Sequence, residues 1–101
     1  MLTKETKPLD VAKRILRPET ISSVRSRPFH LRGWLILDRW AINSPSKLQA
    51  LEEEGEVVLL GRLLEQQNLE HEILLEATTL LNSGVTETEI LAQNEVETEL
   101  L

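Results

Sequence analysis

Residues 56–82 run for 27 positions without a proline and hold nine of the chain's 20 leucines, so this stretch sets what the rest can pack against. At 100° per residue, Val57, Leu59, Leu60, Leu63 and Leu64 share one broad sector, with Arg62 and Glu65 opposite. Leu69, Ile73, Leu74, Ala77, Leu80 and Leu81 make a second stripe, while Glu70, Glu72, Glu76 and Thr79 take the other side. Wound as one helix, the two stripes sit roughly 90° apart, more than the drift of a supercoil explains. The sequence therefore predicts one long helix that bends at the polar run 66–68 and serves different neighbours with its two halves.

Only three of the 101 residues are aromatic, and the leucine-rich remainder suits helix packing better than a sheet. The expectation is a single all-α domain, a small bundle of about five helices around the long bent one. Residues 1–27 read as a basic, partly flexible N-terminal segment, 28–93 as the helical core and 94–101 as a loose acidic tail. Within the first segment a short helical pattern of Leu9, Ala12 and Leu16 ends at Pro18. Residues 19–27, with Ser22, Ser23 and Ser26, read as a connector.

Phe29, Trp34 and Trp40 all fall in 28–43 beside Leu31, Leu35, Ile36, Leu37 and Ile42, which marks a nearly enclosed element. Gly33 and the run 34–37 would also suit a short buried strand, but no second strand pattern exists to pair with it, so helix is the expectation. Asp38 falls in the apolar sector of that helix, and pairing with a nearby arginine is its predicted role. Ser44 and Pro45 form a helix start, with Gly55 as the exit. Near the end, Thr86 and Glu89 have capping-box spacing, Val85 and Ile90 are placed as a hydrophobic staple, and a helix over 87–93 follows.

The net charge of −6 conceals a division. Residues 1–47 contain 10 Lys and Arg against 4 Asp and Glu, whereas 48–101 contain 1 against 13. Opposite halves of this kind attract each other or outside partners of opposite sign. Arg25, Arg27, Arg32 and Arg39 form a candidate basic patch interleaved with aromatics, the composition of a nucleic-acid binder, though the aromatics suit core anchoring better. A helix-turn-helix around Gly84 is disfavoured, since Glu87 and Glu89 at the start of the second helix would repel phosphates.

No chemistry-bearing motif emerges. With no cysteine, thiolate sites and disulfides are excluded. His71 and His30 lack helical ligand spacing, the four glycines are scattered, and no serine stands in a nucleophile elbow. The expectation is a non-enzymatic protein with no cofactor and no metal. The absence of an apolar run of about 18 residues argues against a membrane span and for a cytoplasmic protein. The reading that remains is a small helical protein–protein interaction or regulatory module. It would self-associate as a homodimer through the long element, with Leu59, Leu63, Leu74 and Leu81 as the candidate interface. The alternative is a nucleic-acid accessory protein acting through the basic N-terminal third.

Overall fold

The proline at the first position of a helix loses no hydrogen bond, and two prolines use that position here. In the computed structural model, which describes residues 7–100, Pro18 opens α2 (Pro18–Val24) and Pro45 opens α4 (Pro45–Glu54). The other helices are α1 (Ala12–Ile15), α3 (Leu31–Asn43), α5 (Glu56–Glu76), α6 (Thr78–Asn82) and α7 (Glu87–Gln93), and the described residues contain no strand. The all-α expectation holds, with seven helices among the described residues where the sequence predicts about five. The expected fraying of the first residues concerns positions that, up to residue 6, lie outside the described ones.

Helix α5 is the axis, packing against α3, α4 and α7. It runs unbroken through 66–68 and stops at Ala77, so the predicted bend is misplaced by about ten positions. The reason is that its inward face is not wholly apolar. Leu59, Leu63, Gln66, Gln67, Glu70 and Leu74 are all buried, at spacings of three and four, and occupy one sector of about 100°. Counting the polar members of that row as solvent-facing splits a single face into two rotated ones.

Two apolar clusters flank the row. The larger joins Ile36, Leu37, Trp40, Leu48, Leu59 and Leu63 to Leu9, Ala12, Leu16, Ile21 and Val24 from the N-terminal segment. From residue 7 onward, that segment is thus part of the core, and 19–27 is largely helical because Thr20, Ile21 and Val24 have an inward side to bury. The smaller cluster joins Leu74 to Ile90 and Leu91, with Val85, Leu81 and Val96 packed on it.

The short N-terminal helices owe their placement to carboxylates on longer ones. Asp38 of α3 accepts from the backbone N–H of Leu9 at 2.7 Å and of Ala12 at 2.9 Å, so it caps α1 and does not pair with an arginine. Glu52, buried on α4, accepts from Arg17 N at 2.8 Å where α2 begins. At the other end the capping box is present: the Thr86 hydroxyl accepts from Glu89 N and the Glu89 carboxylate from Thr86 N. The Thr86 N–H, and the Thr86 hydroxyl donating to the same carboxylate at 2.9 Å, favour ionised Glu89 and hold its pKa below the ordinary value.

Gly33 lets the Gln67 side chain of α5 lie against the backbone of α3. A Cβ there would overlap the Gln67 amide oxygen, which accepts from His30 N at 3.1 Å while the amide nitrogen donates to Pro28 O at 3.2 Å. Gln67 cannot swing away without breaking both bonds in a buried site. Gly33→Ala should lower the unfolding free energy by about 1–3 kcal/mol in chemical denaturation. An unchanged midpoint would show that the Gln67 amide is not fixed in place.

Candidate interaction face

The long helix decides which leucines a partner can reach. Leu59 and Leu63 are completely buried in the main core, and Leu74 is 6% exposed in the second cluster. Leu81 is half-buried against that cluster. The expected interface of Leu59, Leu63, Leu74 and Leu81 is therefore corrected: three of the four are internal contacts of the protomer, because the inward face of α5 runs through them.

A different row faces out. Val57, Leu60, Gly61, Leu64, Asn68, His71 and Leu75 recur at spacings of three and four and fill a second sector of about 100° on α5, in which Leu60 and Leu64 are half-buried against the main core and the other five are exposed. Val57 is 81% exposed and Leu75 is 65% exposed. At the N-terminal end this row borders a groove of about 490 Å³, walled on the other side by Pro28 and Phe29, with Arg27 at the rim. Nothing stands within 4 Å of where a Gly61 Cβ would lie, so the floor of the groove is bare backbone.

The basic patch is likewise redistributed. Arg32 makes a two-pronged bond to Glu87, at 3.1 and 2.9 Å. Arg39 does the same to Glu70, at 3.3 and 2.6 Å, and Glu70 has no solvent exposure. Only Arg25 and Arg27 of the four candidates remain on the surface without an ion pair among the described residues.

Around Arg39 the acidic tail is drawn into the structure. The Thr98 carbonyl oxygen accepts from Arg39 Nε at 3.0 Å, Arg39 Nη2 at 2.6 Å and Trp40 Nε1 at 2.9 Å. Gln66 Nε2 donates to Glu97 O at 2.8 Å and to Glu70 at 2.7 Å, and Leu100 is buried in the main core. Arg62, 5.0 Å from the centre of the Trp40 ring, covers the indole and donates to Gln66. The expectation of a loose tail fails because its backbone carbonyls, to which hydropathy is blind, satisfy donors that would otherwise be buried unpaired.

The two histidines meet edge to face, ring centres 5.4 Å apart, with the His30 ring nitrogen accepting from Arg32 N. Among the described residues no group of three potential ligands could hold a metal ion. No helix of the described residues is long and apolar enough to cross a membrane. The chain matches no family of known proteins, and neither a characterised protein nor a solved structure matches it.

The tail's role can be measured directly. A chain ending at Asn94 should lose thermal stability and red-shift tryptophan emission, because Trp40, fully buried, loses the Thr98 carbonyl that accepts its indole N–H and the main core loses Leu100. Parent-like melting and emission would show that the strap does not hold Trp40.

Proposed function

We propose that this chain is a non-enzymatic helical interaction module whose working surface is the outward row of α5, and that its first partner is the same helix of a second copy. The observation that carries this reading is the row itself. A helix that already fills its own core with one face carries exposed Val57 and Leu75 at the two ends of another, and Val57, Leu64 and His71 on that row stand seven residues apart, the spacing of a helix–helix seam. Exposed apolar faces of that kind mark contact surfaces, and a twofold pair is the commonest way to cover one.

Charge supports an antiparallel arrangement. The N-terminal half of the row lies beside Arg27, whereas Glu72 and Glu76 flank its C-terminal half. Antiparallel pairing centred near Gln66 sets Val57 against the second copy's Leu75 and brings Arg27 towards the acidic end. Exposed ion pairs of this type select orientation more than they add affinity, and salt weakens them. The alternative, a nucleic-acid accessory role, rests on a patch from which Arg32 and Arg39 are withdrawn into ion pairs.

Sedimentation equilibrium across micromolar concentrations tests the reading. The parent should associate, and Val57→Glu and Leu75→Glu, both at exposed positions, should shift it to monomer while leaving its helical circular dichroism intact. Leu63→Glu is the contrasting variant, since a charge at that fully buried site should cost several kcal/mol and unfold the protomer. A parent that is monomeric throughout would overturn self-association, and Val57→Glu and Leu75→Glu variants that still associate would overturn this face.

A further inference from the structure

The surplus positive charge of the N-terminal third collects at a place distinct from the α5 row. Among residues 7–27 there are six Lys and Arg against two carboxylates. Three of these cations, Lys13, Arg14 and Arg25, line a cavity of about 520 Å³ together with Ser22, and Pro18 and Ile21 give it an apolar floor. No carboxylate lines it. A neighbouring concavity shares Lys13 and Arg25 and extends the site to Lys7, Asp10 and Trp34.

The partners of these groups narrow what could bind. Arg14 and Arg25 form no ion pair among the described residues, while Lys13 is 3.1 Å from Asp10, whose carboxylate also accepts from Lys7 N. Those two hydrogen bonds keep Asp10 ionised to lower pH than usual, so Lys13 is partly neutralised; Arg14 lies within the field of the same carboxylate without an ion pair to it, and Arg25 adds a second unpaired guanidinium. Trp34 donates its indole N–H to Val24 O at 2.8 Å, which leaves ring surface, not a donor, as what it offers a ligand.

We infer that this cavity between α1 and α2 binds a phosphate monoester carried on an apolar or aromatic group. Two unpaired guanidinium groups, one ammonium and one hydroxyl supply more donors than a carboxylate can use, and a doubly charged phosphate with three acceptor oxygens can use them. The volume is that of a site for one small ligand, and the Pro18 and Ile21 floor takes an apolar carrier. A long nucleic-acid strand fits worse, because beyond this basic island the molecule is acidic, with net charge −6.

Calorimetric titration of the full chain tests this, with three probes: phenyl phosphate, inorganic phosphate and phosphatidic-acid vesicles. Phenyl phosphate should bind saturably and more tightly than inorganic phosphate. Arg14→Ala and Arg25→Ala should each weaken it about tenfold, the loss expected for one charge-assisted contact. Both arginines are exposed, so unchanged circular dichroism separates lost binding from lost folding. Arginine-dependent binding to the vesicles alone would support the phosphate site and assign a lipid headgroup as its source. Equal binding of phenyl and inorganic phosphate, binding indifferent to both arginine changes, or no binding in any arm would overturn the inference.

Discussion

The buried ion pair between Arg39 and Glu70 is the interaction on which the other contacts of this fold depend. A carboxylate with no solvent exposure is costly to hold in a protein interior unless every lone pair finds a donor. Here α5 must present Glu70 where α3 presents Arg39, and Gln66 one turn earlier must donate as well. Arg39 then has donors to spare, and they capture the Thr98 carbonyl. The relative position of two helices and the course of the C-terminal strap follow from one charge that has to be neutralised. Glu99 closes the arrangement, 3.7 Å from Arg39 Nε and accepting from Asn43, with its second oxygen buried and unpaired.

This polar centre also accounts for the surface of α5. With Gln66, Gln67 and Glu70 placed inward, the middle of the buried row is polar, and part of the helix's apolar content is left for the other side. Val57 and Leu75 are exposed as a result, and Leu60 and Leu64 reach the core only in part. In a globular helix apolar residues usually converge on one stripe, and the departure from that rule on α5 is what the proposed self-association rests on.

Local grammar made part of this legible in the sequence. Thr86, Glu89 and Gly84 mark the last helix and the turn before it, and Pro45 and Gly55 bound α4 to the residue. The all-α class follows from leucine spacing. What stayed hidden depends on pairings between distant positions: the inward turn of Gln66, Gln67 and Glu70, the capping of α1 by Asp38 across 26 residues and more, and the capture of Thr98 by Arg39. Periodicity assigns polar residues to solvent, and that rule fails wherever a buried partner exists. The candidate interface failed for the same reason, since Leu59 and Leu63 belong to the face that the misread polar residues complete.

A double-mutant cycle on Arg39→Met and Glu70→Met, read as unfolding free energy, tests the dependence on the buried pair most directly. Arg39→Met strands the fully buried Glu70 carboxylate and should cost about 3–5 kcal/mol, Glu70→Met leaves Arg39 its Thr98 and Glu99 partners and should cost less, and the double change should cost far less than the sum of the two. Single variants that unfold like the parent, or a double variant whose loss equals the sum of the two, would contradict the account.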